Sequence, residues 1–522
     1  MIVPMDTVVL AIDCGTQSIR SILFNTCGEL LHIERMGYEP YVSPLPGRAE
    51  QNAELYWDGL CRTCRSLAAK HPELMAKVAG VGVTTQRNTM INVDAKGRPL
   101  RPAIVWPDQR KARVRYVPGF PMNWAYRVVG MSEAVRKVQA DGACNWIIQN
   151  EPDIWARTSK YLQVSGFLNH RLTGAFRDSL ASQIGHIPVN YKRLRWARRW
   201  ELTRKLFPVE REKLPELVRP GDLIGHVTHQ AADETGIPAG VPVIACGSDK
   251  GCETLGSGVR DTTMASLSFG TTATVQTITR RYCEPLRFMP AYPSPIPECF
   301  NPEVEIFRGY WMITWFKKEL AHKEVTEAES LNIAPEILLN GLLSEAPPGS
   351  MGLVVQPFWG PGLKQPAAKG AIIGFGDVHT RAHLYRALIE GIGYALLDGL
   401  HKIERACRTR VTKLAVSGGA AQSDEICRIS ADIFNLPLVR GKTWETAGLG
   451  AAIVTAVGVG LHDSFETAIE RMVSPEHTFL PDPENARIYQ QLYTRVYQGI
   501  YPSLEKLYKE IRDITGYPEN PE

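Results

Sequence analysis

At 522 residues with a formal net charge of +4, the chain is too long for one core and comfortable for two large domains. Basic and acidic residues are interspersed, so nothing calls for nucleic acid or an anionic membrane as partner; the basic cluster from Lys192 to Lys205 reads as a solvated helix face. No apolar run reaches membrane-spanning length, no early segment has a signal-peptide layout, and eleven scattered cysteines imply no disulfide framework, so a cytoplasmic location is expected.

The first predicted element is a buried strand running through Val8-Val9-Leu10 to Asp13. It turns at Gly15-Thr16 and leaves as a second strand through Ser21-Ile22-Leu23-Phe24. Such a turn can cradle a phosphate: Gly15 admits close backbone approach, the Thr16 and Ser18 hydroxyls can donate, Asp13 can hold hydrated Mg²⁺ and Arg20 can neutralise charge. An ordinary hairpin would look the same. A helix is expected from Glu50 to before His71-Pro72, then an apolar strand at 78–83 that delivers Gln86 and Arg87 to an edge where strands often end in binding sites. Trp106, Asp108 and Arg110 alternate, which on an extended chain points them the same way. An indole beside a carboxylate and a guanidinium suits a polyhydroxylated ligand, although a core Trp with a surface Asp–Arg pair fits equally.

An aromatic-rich, mostly helical insertion is expected from Lys111 to Trp200. Further on, the apolar strand at 239–246 delivers Asp249, a carboxylate well sited to be a general base, or alternatively the cap of the following helix. Then the opening design repeats: Ser266-Leu-Ser-Phe-Gly-Thr-Thr-Ala-Thr-Val275 is again strand, Gly270-Thr271 turn, strand, with Ser268 where the first copy has Asp13. A strong helix is expected from His383 to Ile403. After it, Leu414 to Asp424 runs from strand through Gly418-Gly419-Ala420 into a helix whose N-terminus favours anionic oxygen. Glu445 opens a nearly all-apolar helix.

In number and order these motifs resemble the FGGY family of carbohydrate kinases, glycerol kinase and xylulokinase types included, within the actin, Hsp70 and sugar kinase superfamily. The match runs from Asp13 through Pro220-Gly221, Ala239-Gly-Val-Pro-Val243, Asp249, Gly270-Thr271, Gly309, Trp315 and Gly418-Gly-Ala420 to about Gly460. The resemblance implies an α/β fold of two RNase H-like domains flanking a central ATP cleft, expected at residues 1–258 with the sugar site and 259–522 with the nucleotide site. It implies Asp249 as catalytic base, ATP and Mg²⁺ as cofactors with Asp13 toward the metal, and Gly15, Thr16, Ser18, Arg20, Gly270 and Thr271 at the phosphates. Gly418, Gly419, Ala420 and Ser423 would lie near the adenosine; Gln86, Arg87, Trp106, Asp108, Arg110 and Asp249 would bind the acceptor. The expected partner is a small sugar or polyol, with no nucleic acid or membrane, and a homodimer is left open. Thr85-Gln86-Arg87 and the 103–110 motif are similar to the glycerol kinase branch, but Asn88 and Lys250 depart from it, so a longer polyol or a ketopentose is expected at least as much as glycerol. A silent sugar-sensing regulator and an actin- or Hsp70-like ATPase are the alternatives.

Overall fold

A computed structural model describes residues 7–117, 119, 124, 131–287, 289–360 and 368–517; the stretch Gln356-Pro-Phe-Trp-Gly-Pro-Gly362, whose prolines and glycines predict a rigid turn-rich loop, runs partly outside them. The apolar run from Val8 forms β1 (Val8–Cys14), buried along its whole length. It pairs antiparallel with β2 (Ser18–Asn25), which pairs antiparallel with β3 (Leu30–Gly37). On its other side β1 runs parallel to β4 (Val78–Thr85). With β5 (Leu223–His226) and β6 (Pro242–Ile244) the sheet has the order β5-β6-β4-β1-β2-β3.

The second sheet repeats this plan. β7 (Met264–Phe269), β8 (Ala273–Gln276) and β9 (Glu303–Ile306) form the antiparallel meander. β10 (Lys413–Ser417) and β11 (Leu438–Gly441) add in parallel, and β12 (Pro475–Phe479) closes the edge antiparallel. Its order is β9-β8-β7-β10-β11-β12. The repetition expected from the two Gly-Thr turns is therefore a repetition of topology, with the turns at equivalent hairpins.

Each sheet is covered on its outer face by a helix of its own half. α1 (Glu54–Lys70) packs Gly59 against Ile19 and Met36, and the long α3 (Arg381–Cys407) packs Gly399 against Val275 and Val304. Between the sheets the halves interlock. α2 (Asp249–Gly256) lies on the second sheet, where Thr254 Oγ1 donates to Gln276 Oε1 at 2.7 Å. α5 (Thr446–Gly458) lies on the first, where Thr455 fills the space a side chain would need at Gly82. α4 (Asp424–Phe434) follows β10.

α2 and α5 cross on glycine. A Cβ on Gly450 would sit 1.9 Å from the Cys252 carbonyl oxygen, and one on Gly256 would sit 2.0 Å from that of Thr446. Backbone-on-backbone contact leaves no side chain to yield, so the crossing is sterically specified.

Three expectations need correction. Among the described residues of 111–200, helices lie between Met131 and Thr173, interrupted by a strand at Lys160–Gln163, and short strands with 3₁₀ turns carry 177–196. The expectation of no disulfide fails at Cys283 and Cys407, which are bonded across 124 residues of sequence between a loop and the end of α3. Helices over Pro483–Leu492 and Gln498–Thr515, joined by a π-helical turn at Tyr493–Tyr497, were not anticipated; Tyr489 of the first and Tyr493 and Tyr497 of the turn pack into the core of the second half. No helix of the described residues is long and apolar enough to cross a membrane.

The crossing yields a paired test. Gly450→Ala should destabilise by at least the usual ~1–3 kcal/mol of overpacking. Gly341→Ala, in a helix with nothing within 4 Å of the added methyl, should be neutral or gain up to ~1 kcal/mol from helix propensity. Urea unfolding of both variants checks this; equal effects would remove the crossing as a constraint.

Candidate active site

The strands flanking the first turn hold an ion pair, with Asp13 buried and Arg20 partly buried. Asp13 ends β1 and accepts from Arg20 Nη1 at 2.9 Å, while Arg20 Nε lies 3.4 Å from Glu445 at the start of α5. Burial raises the Asp13 carboxyl to about 6 against the opposing pull of Arg20. Thr16 donates to Gln86 Oε1 at 2.9 Å and accepts from Trp106 Nε1 at 3.0 Å, and Gln86 in turn donates to the Tyr56 hydroxyl at 3.2 Å. The turn is thus tied directly to the wall that carries Trp106, which is 47% exposed. Ser18 is buried in β2. Gly270 and the exposed Thr271 form the second turn, whose carbonyls accept from Tyr310 and Trp311 N–H groups.

Asp249 is the first residue of α2. The helix cap is Ser248, whose hydroxyl accepts from Gly251 N–H, so Asp249 is not needed to cap. Its backbone is fixed from the first sheet: Thr84 Oγ1 donates to Gly247 O at 2.9 Å, Ser248 bridges to Thr85, and Ser248 N–H donates to Ala181 O. Burial raises the Asp249 carboxyl to about 6, opposed by Arg87 and Lys250 and reinforced by Asp13. Arg87 makes a two-pronged ion pair with Glu303, 3.0 Å on each arm. Lys250 Nζ donates to Glu253 Oε2 and Ser268 Oγ, both at 2.8 Å, and Glu253 Oε1 also accepts from Ser268 and Ser417 at 2.7 Å. Burial opposes ionisation of Glu253, but Lys250 and these hydroxyls outweigh it and hold its carboxyl below the usual range.

Trp106, Asp108 and Arg110 do not share a face. The chain turns at Trp106-Pro107, with Asp108 N–H donating to Val105 O at 2.9 Å, because Pro107 cannot continue the ladder. Trp106 reaches Thr16, whereas Asp108 accepts from Ala49 N–H at 2.6 Å and from Arg110, and Arg110 continues to Glu50 at 2.8 Å and over the Trp146 ring. Asp108 and Arg110 brace the wall from behind, their side chains 4% and 5% exposed. In the second half, Gly418 (φ +91°) passes so close to β7 that a Cβ would meet the Phe269 backbone at 2.8 Å, and the space beside Gly419 is open. Ala420 follows in the same turn. The Ser423 hydroxyl caps α4 and donates to Asn340 Oδ1 at 2.7 Å.

Sequence reasoning missed Glu303, Glu305, Glu253 and Asn340. The signal was present for the first two: Glu303-Val304-Glu305-Ile306 alternates with period two, as do Ser266/Ser268 and Thr274/Gln276, so the second sheet turns a polar face toward α2 and an apolar face toward α3.

With this geometry in view, the comparisons are specific. Residues 8–256 match the N-terminal domain model of the FGGY family of carbohydrate kinases, and residues 265–459 match its C-terminal domain model. The chain belongs to the FGGY family. It is 29% identical to YgcE of Escherichia coli K12, named an uncharacterized sugar kinase, covering 97% of this chain and 96% of that one. It is 27% identical to a xylulose kinase of Lactococcus lactis, covering 96% of this chain and 98% of that one. A gluconate kinase structure from Lactobacillus acidophilus superposes with a TM-score of 0.81 at 21% identity, covering 97% and 99%, which establishes the shared two-domain fold. FGGY members are ATP-dependent sugar kinases, so this chain is a kinase and the actin- or Hsp70-like ATPase alternative is set aside.

The raised Asp249 carboxyl has a stability consequence. A folded-state value of about 6 against 3.8 unfolded means the folded protein holds this proton more tightly. The group therefore penalises folding progressively as pH rises from about 4 to about 6, and fully above that. Asp249→Asn should melt higher than the native protein at pH 7.5, and the gain should vanish near pH 4. A lower melting temperature at pH 7.5 would mean that the ionised group is net stabilising.

Proposed function

We propose that this kinase transfers the terminal phosphoryl group of ATP to a hydroxyl of a small sugar or polyol, with Asp249 as the general base. The observation that carries this reading is the placing of Asp249: a carboxylate on the first residue of α2, within electrostatic reach of Asp13 beside the first Gly-Thr turn and adjacent in sequence to Lys250, which bonds Ser268 beside the second, ionised near neutral pH but basic enough to take a proton. In the reaction the acceptor oxygen forms a bond to the terminal phosphorus, the bond from that phosphorus to the bridging oxygen breaks, ADP departs, and the hydroxyl proton passes to Asp249. Phosphoryl transfer needs mainly positioning and charge neutralisation.

The residues present fit a nucleotide and a divalent ion. The space beside Gly419 is open, and the buried Asp13 carboxylate beside the first turn has Arg20 as its one hydrogen-bonding side chain among the described residues. Asp13 would hold Mg²⁺, which supplies charge neutralisation at the phosphates. Gly15, Thr16, Gly270 and Thr271 would flank the polyphosphate, and Gly418 to Ala420 the adenosine. The Thr16–Trp106 and Thr16–Gln86 bonds couple the phosphate turn to the acceptor wall, so filling one site would reset the other.

Acceptor-dependent ADP release measured over a panel of ketoses, polyols and sugar acids tests the reading directly. Asp249→Asn should lower kcat by roughly 10²–10⁴-fold, the usual contribution of a positioned base, while ATP and acceptor still bind by calorimetry. A variant with near-native kcat would remove Asp249 from the mechanism. Trp106→Ala should raise the acceptor KM far more than the ATP KM; equal rises would make Trp106 purely a support for Thr16.

A further inference from the structure

The relatives named above act on chemically different acceptors. Xylulose is a neutral ketose, whereas gluconate carries a carboxylate. An anionic acceptor must meet a cation or an unengaged donor, because leaving its charge uncompensated in a cleft is expensive. The two cations whose charge acts on Asp249 are Arg87 and Lys250, and both are committed. Arg87 spends both guanidinium arms on Glu303, and Lys250 is held by Glu253 and Ser268.

Glu305 is the reverse case. It lies two residues beyond Glu303 on β9 and so on the same polar face, within electrostatic reach of Asp249, Arg87 and Lys250. Its backbone pairs with Thr274 in the ladder, but its carboxyl has neither a hydrogen bond nor an ion pair among the described residues. Burial, reinforced by Glu303, pushes its carboxyl up to about 7. A carboxyl left without a bonded partner on the same sheet face as Glu303, within electrostatic reach of the proposed base, is an acceptor, or when protonated a donor, for a ligand hydroxyl.

We propose that Glu305 is a specificity-determining residue of the acceptor site, bonding a hydroxyl of a neutral polyhydroxylated acceptor and disfavouring acceptors that carry a carboxylate. The inference rests on the kinase reading above and names the substrate class of that site. A neutral sugar or polyol satisfies Glu305 and leaves the Arg87–Glu303 and Lys250–Glu253 pairs intact. An aldonate places a second negative charge near Asp249 and Glu305, and meets a cation only by breaking one of those pairs.

The test uses the full chain, native and Glu305→Gln, with xylulose and gluconate as acceptors and calorimetric ATP binding as a separate readout. The native enzyme should show a kcat/KM for xylulose at least ~100-fold above that for gluconate, in line with sites built to bond a hydroxyl. Glu305→Gln should narrow that ratio at least ~10-fold, chiefly through the acceptor KM, with the ATP KM changing less than about 2-fold. A native preference for gluconate overturns the proposal whatever the variant does. So does a folded Glu305→Gln enzyme with an unchanged ratio; Glu305→Ala replaces it if it does not fold. If ATP binds but no ketose, polyol or aldonate releases ADP, the kinase reading itself falls and takes this proposal with it. If other neutral acceptors work and xylulose does not, the ratio of the best neutral acceptor to gluconate decides by the same criteria.

Discussion

The cleft depends on how one buried carboxylate, Glu253, fastens a helix of the first half to the sheet of the second. Glu253 gathers Lys250 from its own helix, Ser268 from β7 and Ser417 from β10, so the inner face of the second sheet must be polar where α2 lands. The N-terminus of α2 is fixed independently by the first sheet through Thr84 and Thr85. Asp249 is therefore held from both sides, and its position depends on the relation between the halves. Breaking such a buried pair on one side typically costs about 3–5 kcal/mol, because the remaining charge is stranded.

The two inner helices are not equivalent. α5 rests on an apolar face of the first sheet and is itself almost wholly apolar, whereas α2 rests on serines, threonines, glutamine and glutamates. One side of the repeat serves packing and the other serves charge. The same division appears at the turns: Asp13 with Arg20 in the first hairpin is replaced by Ser268 with Lys250 in the second.

Much of this was legible in the sequence where the signal was local. Gly15-Thr16 and Gly270-Thr271 showed the repeat, and the apolar run before Asp249 showed its delivery; that Gly418 takes a positive φ and packs on the Phe269 backbone was not specified by the Gly-Gly pair alone. What was not legible depends on pairing at long range. Asp108 and Arg110 looked ligand-facing on an extended chain, but a turn at Pro107 sends them to Glu50. Glu303 and Glu305 carried a clear alternation whose meaning needed Arg87, 216 residues away from Glu303, to be brought alongside. The Cys283–Cys407 bond is likewise set by the tertiary approach of a loop to a helix end, which cysteine spacing cannot encode.

The account stands on one polyphosphate being held between two turns from different halves with the acceptor hydroxyl at Asp249. A crystal structure of the full chain with Mg²⁺, a non-hydrolysable ATP analogue and a turned-over acceptor tests this most directly. The account predicts the terminal phosphates lying between Gly15-Thr16 and Gly270-Thr271, and an acceptor hydroxyl within about 2.6–3.2 Å of the Asp249 carboxylate. Phosphates touching only one turn, or an acceptor seated away from Asp249, would contradict it.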